Sequence, residues 1–343
     1  MQIEKRRMRS AVRRTNAEDY LLISLTSFAA TVILTRAGLQ LAGFPQIGNS
    51  VLHIAHALWG GLLLIAAALI PLALANPWAF KTSAYLSGIG IGLFIDEVGK
   101  FITQANDYFF PPALPIIYGF FLLIVLVYLY IRRPQEIDPR KAMYNVLDGV
   151  KAALDGYLDT EEIGRLEEQL SVAQTSDQPE IASMANSIRA YLRDNILLLP
   201  VSKPDTWERF AVKVETIGRS LGRRRHRTLS YVVVILWIML VVGYIVVLMQ
   251  GNPNIDPQVI RLQGLLLGIQ AVTGGLLLAG LVAWVLRDEI RGSGLVIAGL
   301  LLSLVALQLI YFLISQFSAI SATLIQLAIL QIVLAYRRWY LSS

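Results

Sequence analysis

Three charges interrupt a single apolar run, Gly88-Ile-Gly-Ile-Gly-Leu-Phe-Ile-Asp96-Glu97-Val-Gly99-Lys100. Neighbouring carboxylates beside an ammonium can pair with each other, pass protons or bind cations. Residues 79–104 are otherwise long and apolar enough to cross a bilayer. A charge at membrane depth costs at least about 2.5–3.5 kcal/mol, so these groups need partners. The sequence offers Arg36 in the preceding apolar stretch but one, and His53 and His56 in the stretch between. A rise of about 1.5 Å per residue puts Arg36 about 8 Å, His53 and His56 about 6 and 10 Å, and Lys100 and Asp96 about 5 and 10 Å below one membrane face. Arg36, His53, His56, Asp96, Glu97 and Lys100 therefore share one depth, and Asp107 lies just beyond as a rim residue.

Three chemistries fit this set. The first is a structural ion-pair network, with Arg36 on Asp96 or Glu97 and Asp96 on Lys100 at i,i+4. The second is a proton- or ion-linked site open to the outside, because histidine titrates near neutrality and an acidic pair beside it can relay protons or bind cations. The third is a divalent metal site in which His53, His56 and Asp96 or Glu97 are ligands and the fourth position holds water. Such a site would hydrolyse a lipid or headgroup, although Arg36 and Lys100 oppose cation binding and favour an anion such as phosphate. No catalytic residue is assigned. Gly88, Gly92, Asp96 and Lys100 recur every four residues, His53, His56 and Gly60 share a face at helical spacings of three and four, and these two faces are expected to oppose each other.

The elements that position these residues follow from composition. The chain has 343 residues, 55% hydrophobic and 16% charged, with mean hydropathy +0.58. Soluble domains carry about 25% charged residues, so the depletion marks a membrane protein. Apolar runs at 20–42, 51–75, 79–104, 113–132, 229–250, 260–286, 293–316 and 318–336 predict eight transmembrane helices. The last two, separated by Ser315-Gln316-Phe317-Ser318, read as a tight hairpin, with one broken helix as the alternative. The expected class is all-α and polytopic, four helices plus four, with a helical insert between them.

Basic residues flank the spans: Lys5, Arg6, Arg7, Arg9, Arg13 and Arg14 before the first, Arg132, Arg133, Arg140 and Lys141 after the fourth. Arg223, Arg224, Arg225 and Arg227 precede the fifth, and Arg337 and Arg338 close the eighth, whereas 43–50, 105–112 and 251–259 hold no Lys or Arg. With eight spans, all clusters fall on one side, which the positive-inside rule makes cytoplasmic, as it does both termini. The net charge of +6 thus reads as topology and lipid-headgroup contact rather than nucleic-acid binding. The absence of cysteine excludes disulfides, iron–sulfur clusters and thiol catalysis.

The expected divisions are a basic N-terminus at 1–19, a membrane half carrying the polar cluster at 20–132, a cytoplasmic helical domain at 133–228, an apolar membrane half at 229–338 and a tail at 339–343. The insert reads as four amphipathic helices, a docking surface for a protein partner, with faces such as Met143, Val146, Leu147, Val150, Leu154 and Leu158. Within it, His226 reads as part of a basic membrane-flanking run. The second membrane half, with Gln270, Gln308, Gln326 and Gln331 as its main polar side chains, reads as a scaffold or homo-oligomer face. Asp288-Glu289 reads as a solvated turn.

The segment Gly-Leu-Phe-Ile-Asp96-Glu97-Val-Gly-Lys100-Phe-Ile-Thr, followed by Asn106-Asp107-Tyr108-Phe109-Phe110, resembles a stretch of uncharacterised bacterial polytopic membrane proteins. The resemblance covers the first four predicted spans, implies a bacterial inner-membrane location and carries no activity. The expected function is ion- or proton-linked transport or binding of a small solute. A membrane-embedded metal-dependent hydrolase and a sensor or scaffold are the alternatives.

Overall fold

The computed structural model describes residues 11–43, 55–133, 138–155, 160–195, 222–249, 257–314 and 316–341, with scattered positions between 213 and 220. Among these residues every regular element is helical. Seven helices are long and apolar enough to cross a membrane: Ala17–Leu41, His56–Ala73, Ala113–Ile131, Gly222–Gly243, Gly264–Val285, Glu289–Ile314 and Ser318–Tyr340. Between 17% and 44% of each is buried inside the protein, so most of their apolar surface faces outward. Leu62, Leu69 and Leu72, at 50%, 57% and 82% exposure, would be costly in water and are at home in hydrocarbon. The chain is an all-α polytopic integral membrane protein.

Two compact units make up the chain, one of 1–97 with 123–205 and one of 98–122 with 206–343.

In the first unit, α1 (Ala17–Leu41) and α2 (His56–Ala73) both pack on α3 (Pro77–Asp96). The 20 residues of α3 are about 30 Å long, starting with Pro77 at its first turn and stopping at Asp96. It falls outside the seven apolar spans, since Lys81 and Asp96 and its serines and glycines dilute its hydropathy. The short α4 (Val98–Ile102) follows the stop. Past α5 (Ala113–Ile131), three polar helices fold on one another: α6 (Pro139–Leu154), α7 (Thr160–Gln174) and α8 (Pro179–Asn195).

Asp138 caps α6 by accepting from the Lys141 N–H at 2.8 Å. The buried line of α6 runs through Ala142, Met143, Val146 and Ala153, while Leu147 and Leu154 are 41% and 72% exposed. A small residue is needed at Gly149 because Leu166 of α7 seats against it, where a Cβ would come within 2.7 Å of its Cδ1. A fourth insert helix at 204–221 lies largely outside the described residues.

The polar bundle is tied to the membrane helices of its own unit at two points. Thr15 Oγ1 donates to Asn145 Oδ1 at 3.0 Å just before α1, and Asn76 Nδ2 donates to Asp155 Oδ2 at 2.7 Å just before α3. Arg14 lies 3.8 Å over the Phe80 ring, and Arg13 donates to the Ile131 carbonyl at the end of α5.

The second unit holds α9 (Gly222–Met249), α10 (Pro257–Val285), α11 (Glu289–Leu302), a π-helical turn (Ser303–Leu307), α12 (Gln308–Ile314) and α13 (Gln316–Tyr340). α12 and α13 fold back on each other, since the Gln308 amide donates to Gln326 Oε1 at 3.1 Å across them. That geometry is a hairpin rather than a broken rod.

Two sequence readings are corrected here. His226 is 3% exposed, enclosed by the rings of Tyr336, Trp339 and Tyr340, with Nε2 at 3.2 Å from the Ile332 carbonyl. Its arginine neighbours stay outside because one helical face alone turns inward. Glu289 is no solvated turn: it accepts from Arg223 at 3.1 Å, Arg227 at 3.0 Å and the Tyr336 hydroxyl at 2.7 Å. The reason is that Asp288 caps α11 through the Arg291 N–H at 3.1 Å, so Glu289 becomes its first residue and points at α9.

Candidate functional site: a buried carboxylate pair around Arg36 and His56

Glycine sets the approach of the three helices. A Cβ on Gly88 would run into the Ser24 carbonyl, and one on Gly92 would sit 2.7 Å from the Thr31 Cβ. The Gly88–Gly92–Asp96 stripe therefore lies against α1, with Ser24 Oγ and Ser87 Oγ 3.0 Å apart beside it. This corrects the expectation that the stripe opposes the His56–Gly60 face. Gly60 instead meets Gly90, two residues and about 200° around the helix from Gly88, where a Cβ would lie 2.8 Å from the Gly90 carbonyl oxygen.

These contacts fix two registers. α1 and α3 run parallel, with Ser24 by Gly88 and Thr31 by Gly92, which brings Arg36 to Asp96. α2 and α3 run antiparallel, with Ser83 Oγ donating to the Ala67 carbonyl at 2.6 Å and Gly90 by Gly60, which brings His56 to the end of α3. His56 opens α2 after an extended Ala55, so it stands at a helix start rather than two turns inside a span.

Arg36 Nε donates to Asp96 Oδ1 at 2.6 Å and its Nη2 to the Asp96 carbonyl at 3.3 Å. His56 Nε2 lies 3.1 Å from Asp96 Oδ2, and His56 Nδ1 lies 3.2 Å from Glu97 Oε1. The Ala57 N–H donates to Glu97 Oε2 at 3.4 Å, so Glu97 serves an otherwise uncapped helix start, where the dipole favours negative charge. Arg36, Asp96 and Glu97 are 4%, 0% and 1% exposed, whereas the His56 side chain is 23% exposed. The imidazole is the accessible member of a buried set.

Adjacent residues on a continuous helix point about 100° apart and cannot serve one ring. The break makes it possible. Glu97 has φ −89° and ψ 11°, the sparsely populated bridge region, and α3 ends at Asp96. An ionised carboxylate only accepts, so the 3.1 Å bond between His56 Nε2 and Asp96 Oδ2 needs a proton on one of the two atoms. Arg36 brings a positive charge to the same carboxylate, and an opposite charge at hydrogen-bond distance is what a low-dielectric setting requires of a buried one.

The remaining sequence-predicted residues are placed differently. Lys100 and Asp107 belong to the second unit. Lys100 Nζ stands 5.5 Å from the centre of the Tyr108 ring. Asp107 closes its loop: its Oδ1 accepts from the Phe109 N–H at 2.8 Å, and its N–H donates to Thr103 Oγ1 at 2.8 Å. His53 lies outside the described residues. Among the described residues no three His, Asp or Glu side chains are placed to hold a metal. Both ring nitrogens of His56 already face carboxylates.

The chain matches no protein-family model, no curated protein and no solved structure. What it does must therefore be argued from the site.

Proposed function

We propose that this integral membrane protein carries out proton-linked transport or binding of a small solute, with His56, Asp96 and Glu97 as the proton-holding trio. A single observation carries the reading: one imidazole has a different buried carboxylate within 3.2 Å of each of its nitrogens. Such a ring can receive a proton from one carboxylate and release one to the other. The exposed edge of His56 gives the proton its route in, while Arg36 pairs with Asp96 inside the protein. The site faces the outside, both termini lie in the cytoplasm and the membrane is a bacterial inner membrane in this proposal, following the distribution of basic residues and the resemblance of residues 92–110.

The structural ion-pair network is the second reading, favoured by the direct pairing of Arg36 with Asp96. The two part company in proteoliposomes loaded with a pH-sensitive dye and given a potassium diffusion potential. Proton-linked function predicts protein-dependent proton uptake that Asp96→Asn and His56→Gln remove while the protein remains folded. Uptake in wild type no faster than in Asp96→Asn vesicles returns the cluster to a structural role. The metal-dependent hydrolase gains no support from the described residues.

A further inference from the structure

We infer that the second unit contains a separate binding site for a dehydrated monovalent alkali cation, built from the neutral oxygens of Gln270, Thr273 and Gln308 beside the π-helical turn. Helix register brings these side chains to one stretch of the unit. A Cβ on Gly280 would meet the Gly292 carbonyl oxygen at 2.9 Å, and one on Gly299 would meet Leu276 and Leu277 at 3.2 Å. α10 and α11 are therefore antiparallel neighbours, and carrying the pairing onward places Thr273 opposite Leu302 and Gln270 opposite Val305, about one turn before Gln308. Gln270, Thr273, Leu277 and Gly280 share one heptad face, the face already shown to meet α11.

The oxygens are buried and unmatched. Gln270, Thr273 and Gln308 are 7%, 0% and 3% exposed, and Gln270 Oε1, Thr273 Oγ1 and Gln308 Oε1 have no hydrogen-bond partner among the described residues. For Gln308 the neighbours dictate that the oxygen is the free end. The Leu300 carbonyl can only accept, so Gln326 presents its Nε2 to it, at 3.0 Å. That leaves Gln326 Oε1 to accept the Gln308 amide at 3.1 Å, which turns Gln308 Oε1 away. A chain of donors anchored on one backbone carbonyl thus aims an acceptor into a buried site.

The backbone is irregular along the same stretch. The Gln308 N–H bonds the Ser303 carbonyl, five residues back, and the Leu304 carbonyl is taken by the Tyr118 hydroxyl at 2.6 Å. π-turns recur at functional sites because they loosen carbonyls from the helical ladder. Irregular helix beside buried polar oxygens is also how membrane proteins coordinate sodium or potassium.

Ligand type follows from the donor set. Amide and hydroxyl oxygens are hard and neutral, and no carboxylate joins them among the described buried residues of this stretch. Divalent ions draw on carboxylates, so a neutral shell suits a single positive charge. The Arg36–Asp96 cluster plays no part in this assignment.

The test is thermal unfolding of the full-length protein in mild detergent, in sodium, potassium and choline chlorides at matched ionic strength. Sodium or potassium should raise Tm saturably where choline does not, and Gln308→Leu with Thr273→Val should weaken the apparent affinity by roughly tenfold or more. A response equal in all three salts, or unchanged in the double variant, overturns the site and leaves buried water as the occupant. Should the double variant fail to fold, equilibrium binding of radioactive sodium and of thallium to wild type decides. Saturable stoichiometric binding of either supports the site, and its absence for both refutes it.

Discussion

Replacing Arg36 with methionine removes a guanidinium that pairs directly with Asp96, and its cost can be worked from the charge it leaves behind. Arg36 meets the Asp96 carboxylate at 2.6 Å and 4% exposure. Without Arg36 that carboxylate loses a buried partner, and breaking one partner of such a pair costs about 3–5 kcal/mol. Adding Asp96→Asn removes the charge on the carboxylate too. The double variant should therefore be more stable than Arg36→Met alone, with a coupling of about 0.5–3 kcal/mol. Denaturant titration in mild detergent, followed by tryptophan fluorescence, measures the three variants. Because the groups are buried, the difference should persist when salt is raised to about 1 M, where exposed pairs are screened within about 3 Å. A loss below about 1 kcal/mol for Arg36→Met, or a double variant no better than the sum of its parts, refutes the pairing.

Gly60→Val should force α2 off α3, since even a Cβ would lie 2.7 Å from the Phe94 nitrogen. Overpacking of this kind costs about 1–3 kcal/mol, and the distance between labels on the two helices should grow. Leu170→Ala, at a position 1% exposed in the polar bundle, should cost about 2–5 kcal/mol and open this region to hydrogen exchange. Glu289→Gln keeps the shape but weakens its bonds to two arginines that are 59% and 44% exposed and to the Tyr336 hydroxyl. Its cost should stay near about 1 kcal/mol by the same denaturation assay, because solvent already screens the arginines.

The class and the core of the cluster were legible because membrane burial makes charge conspicuous. Arg36, His56, Asp96 and Glu97 are expensive where they stand, so a search for partners at one depth finds them. Facing was less legible. Gly88, Gly90 and Gly92 are all small, and nothing in their spacing says that the outer two meet α1 and the middle one meets Gly60. The stop of α3 at Asp96 was hidden as well, since the residues on either side form helices and contain no proline. His226 was misread because its four arginine neighbours dominate the local composition, while its burial depends on Tyr336, Trp339 and Tyr340 about 110 residues away. In the insert, apolar periodicity found Met143, Val146, Leu166, Leu170 and Leu192 in the core, but it also drew in Leu147 and Leu154, which are exposed, and missed the alanines and Gly149 that admit Leu166.

The two ties of the polar bundle have a mechanical consequence. Thr15 and Asn76 stand immediately before α1 and α3, and Arg36 and Asp96 stand at or near the opposite ends of those same helices. The two helices run parallel, each spanning about 30 Å between its tie and its charged residue. They act as the two limbs of a pair of tongs, held in one grip by Asn145 and Asp155 and closed at the tips by the Arg36–Asp96 bond. A change that loosens the grip, such as Asn145→Ala, removes a contact about 30 Å from the tips, where His56 stands between its two carboxylates.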